Sequence, residues 1–294
     1  MYRITDDQIT YTFSSKNKPI LNVEPGSEVI FETRDASDDM LRDENETFEN
    51  WDHSRNNPIT GPLSINGAVP GDTLKVEIKK IKLAKTGYLA SIKGVGVVKE
   101  NINTKIHFLE IADNKIHLSN SVHVPISPMI GTIGTAPAEG DISPMFPGYY
   151  GGNMDNIEVK EGSVVYLPVS VKDALLSMGD CHANQGDGEL NGSSMEIKAE
   201  ILVKVDLIKG RRWQRPWIET PDLWVTCADA ATLPEAIRLV TEDMINLIQE
   251  KTDLARDEAY MLISLIGGVS LCQACEGVLN PTVRAVIPKH IVKN

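Results

Sequence analysis

Met195-Glu196-Ile197-Lys198-Ala199-Glu200-Ile201-Leu202-Val203-Lys204-Val205 alternates with a period of two. Ile197, Ala199, Ile201, Val203 and Val205 fall on one face; Glu196, Lys198, Glu200 and Lys204 fall on the other. Successive strand side chains point to opposite faces, so this is the pattern of a half-buried strand. Three shorter stretches repeat the theme, each behind a turn: Pro25-Gly26 before residues 27–32, Pro70-Gly71 before 72–78, and Glu161-Gly162 before 163–167. Strands set behind Pro-Gly or Gly turns predict hairpin-linked sheets, hence a mainly β chain with a β-sandwich or barrel body over residues 1–210.

Two long segments interrupt the strands. Residues 34–60 are charged and weakly patterned, and 125–156 are rich in Gly and Pro. Both read as long loops, which in a compact domain are either mobile or functional. After Gly210 the character changes. Arg211-Arg212-Trp213-Gln214-Arg215-Pro216-Trp217 is a basic-aromatic cluster, expected to pack and to pair with carboxylates. An apolar strand follows at Leu223 to Cys227. Thr232-Leu233-Pro234-Glu235 reads as a capping box, with the Thr232 hydroxyl and the Glu235 carboxylate bonding each other's amides. Ile237, Val240, Met244, Leu247 and Ile248 carry that helix to about Lys251. A second helix is expected from near Asp253 to Gly267-Gly268. Its stretch 259–266 is apolar almost all round, which predicts deep burial. Short strands near 269–274 and 283–288 complete a two-helix α+β subdomain over 211–294.

Composition narrows the function. The 294 residues carry a formal charge of −12, which repels phosphate backbones and argues against nucleic acid as a partner. No apolar run reaches the roughly 18–20 residues of a membrane span, and the N-terminus has no signal-peptide core, so a cytoplasmic protein is expected. Four cysteines are too few for a disulfide framework at this size. Cys272-Gln273-Ala274-Cys275 has CxxC spacing without a second pair, and reads as structural thiols.

Chemistry concentrates just ahead of the long strand, in Gly179-Asp180-Cys181-His182-Ala183-Asn184-Gln185-Gly186-Asp187-Gly188-Glu189. A Gly-rich loop with several carboxylates and an imidazole gathers oxygen and nitrogen ligands around one point. Asp180, His182 and Asp187 are natural metal ligands at this spacing. Glu189 or Glu196 can serve as general base on a metal-activated water. The mixed donor set suits Zn²⁺, with Mn²⁺, Fe²⁺ or Ca²⁺ as alternatives. Cys181 is set aside as a nucleophile, because neighbours on a strand face opposite ways and His182 would point elsewhere. His53 and the remaining histidines read as loop, strand or tail residues.

The same segment, followed by Gly192-Ser193-Ser194-Met195-Glu196, resembles the signature of the acetamidase/formamidase family. Further blocks occur in family order: Asp35-Ala36, Thr60-Gly61-Pro62, Gly67-Ala68, Pro70-Gly71-Asp72, residues 130–137, and Gly151-Gly152-Asn153-Met154-Asp155. The resemblance departs at Gly268, where an acidic residue is expected. It implies hydrolysis of the C–N bond of short linear amides to acid and ammonia, and a homo-oligomer of two or more subunits. Placed on these blocks, Asp35 joins the metal ligands and Asn153 and Asp155 contact the substrate. A non-catalytic metal- or sugar-binding β-module is the competing reading of an acidic, Gly-rich loop on a β scaffold.

Overall fold

The computed structural model describes residues 1–41, 52–211, 213–274 and 280–292. Among these residues the chain is mainly β, with two long helices near its C-terminus. A nine-stranded sheet runs in the order Tyr2–Ile4, Glu28–Thr33, Ala199–Ile208, Thr73–Leu83, Val164–Pro168, Trp217–Glu219, Leu223–Asp229, Thr282–Pro288, Gly268–Gln273. A second sheet is built on Met129–Gly134, Leu176–His182 and Ile59–Ile65, and a third of four strands on Thr86–Ser91 and Lys105–Ala112. The division at residue 210 falls inside the first sheet, where Val164–Pro168 pairs with Trp217–Glu219.

The expected alternation is present: Ala199–Ile208 buries every second residue, and Ile201, Val203 and Val205 are fully enclosed. They face Val29, Phe31, Val76 and Ile78 of their own sheet and Leu63, Ile130, Leu176 and Met178 of the second, in one shared core. Past the sandwich, the first sheet serves two cores with consecutive residues. Ile218, Val225 and Cys227 belong to the inter-sheet core; Trp217, Trp224 and Ala228 turn the other way, under the helices.

Helix α1, Leu233–Lys251, ends where its periodicity stops, and Thr232 Oγ1 accepts from the Glu235 amide at 3.4 Å. The return half of the capping box is replaced: the Glu235 carboxylate takes two hydrogen bonds from Arg238. Helix α2, Arg256–Ile266, begins slightly later than expected and is not deeply buried. Ala259 and Ile263 are enclosed against α1, whereas Tyr260 is 56%, Met261 66% and Leu265 79% exposed. The helix packs through one stripe only, so its outer apolar residues stay outside.

The Gly/Pro-rich segment is not a loop throughout. It supplies strands Met129–Gly134, Asp141–Ile142, Pro147–Gly148 and Gly151–Asn153. Glycine makes this pairing feasible: a Cβ on Gly151 would sit 2.2 Å from the Ile133 carbonyl oxygen. In the basic-aromatic cluster, Arg215 grips Asp243 with two bonds of 2.6 and 2.8 Å, and Trp213 stacks on Trp217. Arg212, Cys275 and residues 42–51 lie outside the described residues.

Candidate active site

The site forms where the three sheets meet. Leu176–His182 brings Asp180 and His182 to one face and sends Cys181 to the other. Cys181 lies in the inter-sheet core beside Thr33, and burial pushes its thiol up to about 12. Glu196 forms isolated bridges with both His182 and Tyr88, tying the third sheet to the second. Asp155 stands two residues after strand Gly151–Asn153, and Gln273 ends the edge strand of the first sheet.

Asp155, Asp180, His182, Glu189 and Glu196 are all buried. They form two overlapping groups, Asp155–Asp180–His182 and His182–Glu189–Glu196, with candidate ligand atoms within 4.8 Å in each. His182 Nε2 lies 3.1 Å from Glu196 Oε2 and 3.4 Å from Asp180 Oδ1. Asp155 Oδ1 is 4.0 Å from Nδ1. Two further features permit this crowding. Asp155, Asp180 and Glu189 hold φ of 46°, 55° and 43°, a left-handed backbone that redirects each carboxylate. Gly131 lies beneath two of them: a Cβ there would meet Asp155 Oδ1 at 2.6 Å and Asp180 Oδ2 at 2.7 Å.

Hydrogen bonds fix each group. Asp180 Oδ2 accepts from Asn57 Nδ2 at 3.0 Å and lies 3.2 Å from the Thr132 hydroxyl. Asn153 Oδ1 lies 2.7 Å from that same hydroxyl, and Asp155 Oδ2 accepts from Gln273 Nε2 at 2.6 Å. Gln185 Nε2 donates to the Asp155 and Cys272 carbonyl oxygens at 2.7 and 3.0 Å. Its amide hydrogens are thereby used, so Oε1 faces His182 Nδ1 at 2.9 Å as an acceptor. Nδ1 carries the proton, and in the neutral ring Nε2 presents a lone pair.

In the neutral ring that lone pair faces carboxylate oxygens, and Glu196 Oε2 and Asp155 Oδ1 then find no hydrogen-bond donor among the described residues. The titration behaviour reflects this congestion. Burial raises Asp155 well above the ordinary carboxylate range, and the charges of Glu189 and Asp180 raise it further. Glu196 is pushed up to about 7 by burial, with His182 pulling the other way. Glu189 is raised by burial, again opposed by His182. For His182 burial disfavours the charge, but Glu196 and Asp180 outweigh it and raise the imidazole well above its usual value. A buried cluster of acidic groups around one imidazole is neutralised by a proton on the ring and could instead hold a metal ion.

Of the expected site residues, the structure brings together Asp155, Asp180, His182, Glu189 and Glu196, with Asn153 linked to Asp180 through the Thr132 hydroxyl. It does not bring in Asp35 or Asp187. Asp35 Oδ1 accepts from the Ser37 amide, the Ser37 hydroxyl and the Asp39 amide, closing its own turn. Asp187 is half exposed and bonds Arg284 at 2.8 Å, because the loop turns outward at Gly186. His53 sits on an exposed turn at His53–Arg55. Patterning does not pick out Asn57, Thr132, Gln185 or Gln273. Gln185 stands three residues after His182, and Gln273 stands between two cysteines whose spacing draws the eye to sulfur.

The Acetamidase/Formamidase family profile matches residues 13–145 and 142–235. The chain belongs to the acetamidase/formamidase family. It is similar to an acetamidase of known structure from Bacillus halodurans, at 35% identity and a TM-score of 0.94, covering 98% of each chain. A structure described as a predicted acetamidase/formamidase from Thermoanaerobacter tengcongensis is 37% identical, with a TM-score of 0.94 over 99% of this chain and 96% of that one. An acetamidase from Mycolicibacterium smegmatis is 26% identical over 258 residues, 64% of this chain and 63% of its own. The chain thus spans less than two thirds of that curated relative's length. A gamma lactamase from Delftia acidovorans, at 20% identity and a TM-score of 0.69, shares the fold.

Proposed function

We propose that this protein hydrolyses the C–N bond of short linear amides of the formamide and acetamide type, releasing a carboxylic acid and ammonia. The observation that carries the reading is the buried convergence of Asp180, Glu189 and Glu196 on His182, in a chain of this family.

The roles follow from position. A divalent metal, with Zn²⁺ the first choice, would be held by His182 Nε2 together with Asp180 and Glu196, the two carboxylates that approach that nitrogen. Bound there, it supplies a Lewis acid that polarises the amide carbonyl and acidifies water. Glu189 belongs to the same group, and its carboxyl is held on the proton-binding side by burial. It is placed to accept a proton from water and return it to the leaving nitrogen. Gln185 holds the imidazole proton on Nδ1, and Gln273 and Asn57 orient the acids. Asn153 and Asp155 line the same wall; Asp155, held by Gln273, is placed to orient the amide.

The test pairs elemental analysis of the purified protein with ammonia release from formamide and acetamide. Turnover lost with His182→Ala and with chelator, and restored by metal, supports the reading. Full activity in metal-stripped protein removes the metal; bound metal with no turnover across an amide panel favours a binding module.

Two assignments accompany this one. A homo-oligomer is favoured by the apolar outer face of α2, where Tyr260, Met261 and Leu265 stand exposed. A cytoplasmic setting agrees with free thiols at Cys181, Cys227 and Cys272. No helix among the described residues is long and apolar enough to cross a membrane.

A further inference from the structure

A cavity of about 440 Å³ adjoins the acid cluster. One wall is apolar, made by Leu89, Leu109, Ile116, Val124 and Met195. These side chains belong to the small core between the third sheet and the segment entering the long strand. The opposite end is polar and leads to the chemistry. Glu189 and Ser194 line it. The Ser194 amide donates to Glu196 Oε1 at 3.0 Å, and Glu189 lies in the same ligand group as His182 and Glu196. Glu189 is the member of the acid cluster that lines the cavity, so a molecule seated there meets the edge of the cluster.

The cavity's size and lining do not match the smallest amides. Acetamide displaces the volume of about three waters, roughly 90 Å³. It would leave most of the cavity unfilled and the apolar wall without a partner. Among the described residues no Lys, Arg or His lines the cavity. Asp187 and Glu189 make that end acidic, which disfavours an anionic substituent. We infer that the cavity is an acyl-binding site, and that the preferred substrates are primary amides of neutral aliphatic acids of about four to eight carbons. The carboxamide lies at Glu189 and the chain lies along Leu89, Leu109 and Val124. Hydrolysis breaks the C–N bond and adds water across it, releasing ammonia and the carboxylic acid. This assignment rests on the amidase reading and gives it a substrate class.

The experiment measures kcat/KM by ammonia release for formamide, acetamide, butyramide and hexanamide. Each methylene transferred from water to the wall raises kcat/KM about fourfold, so hexanamide exceeds acetamide by at least tenfold. Val124→Trp, which fills the cavity, and Val124→Glu, which makes its wall polar, each lower the hexanamide-to-acetamide ratio by about tenfold or more. Val124 is only partly buried on a short edge strand, so at least one of the two is expected to fold. Turnover of formamide and acetamide with no gain for the longer chains overturns the acyl site and leaves the amidase reading standing. An unchanged ratio in both folded variants does the same. No turnover of any member overturns the amidase reading and this assignment with it.

Discussion

Replacing Gln185 by alanine removes three hydrogen bonds from one buried place. The side-chain amide donates to the Asp155 and Cys272 carbonyl oxygens and accepts from His182 Nδ1. Each stranded buried group costs about 1–3 kcal/mol. Water entering the space would recover part of this, which leaves a net loss of about 2–4 kcal/mol. For a chain this long that is a fall in Tm of about 3–7 °C. The second effect is on the imidazole. Without the acceptor at Nδ1 the ring can rotate or move its proton to Nε2, and metal affinity falls about 10–100-fold. Two assays separate the effects: denaturant unfolding of the metal-free protein, and metal titration at fixed pH. Nitrogen-15 spectra of the metal-free protein, at a pH high enough for a neutral ring, add a direct readout, with Nδ1 protonated in the parent and a tautomer mixture in Gln185→Ala. Gln185→Glu keeps an acceptor at Nδ1 but loses both donors, so it should lose stability while holding the parent tautomer. Metal affinity within twofold of the parent, together with an unchanged tautomer in Gln185→Ala, would refute the reasoning.

The metal-free protein should lose stability as pH rises. Glu196 titrates near 7 when folded against an ordinary value of 4.5, so the folded state binds the extra proton between those values. The contribution is complete below about 4.5 and gone above about 7, a change of about 3 kcal/mol. His182, also raised, acts in the same direction. Unfolding free energies of chelator-treated protein that stay flat or rise from pH 5 to 7.5 would contradict this. Gly131→Ala should cost at least about 100-fold in kcat/KM, because the new Cβ would overlap two carboxylates. Gly186→Ala, with open space around it, is the neutral comparison, and equal activity in the two disposes of the cradle argument. Asp187→Asn should keep its full metal content and lose about 1–3 kcal/mol, since its half-exposed carboxylate is the charge partner of the buried Arg284; loss of metal on elemental analysis would restore it to the ligand set. Cys181→Ala should retain ammonia release within twofold while losing about 1 kcal/mol of stability, and a tenfold loss of rate at an intact fold would return the thiol to the chemistry.

What could be read from the sequence was what local physics determines. The alternation over Ala199–Ile208 and the Thr232 cap are properties of a few adjacent residues, and both appear as expected. The depth of α2 was not readable, because an all-round apolar stretch is equally consistent with a buried helix and with one that reserves an outer face. The strands within 129–153 were hidden by glycines that weaken every propensity signal, yet are required where backbones approach closely. Within the site, His182 and the acids beside it share one segment and could be grouped by spacing. Asp187 shares that segment too, but the turn at Gly186 sends it to Arg284. Gln273 reaches Asp155 across 118 positions of sequence, through sheet order alone, and no local pattern encodes that.

The left-handed backbone at Asp155, Asp180 and Glu189 sets this site against its own fold. Glycine or asparagine at those positions would relax the backbone and dilute the buried negative charge, so substitutions that abolish turnover there should often make the protein hardier. Selection for expression or heat resistance alone would therefore drift toward an inert, sturdier molecule. A lineage released from selection on this site would lose these three acids early, while the alternating strands beneath them persisted. Engineering for robustness has to assay the site itself at every round, since survival of the fold carries no information about survival of the site.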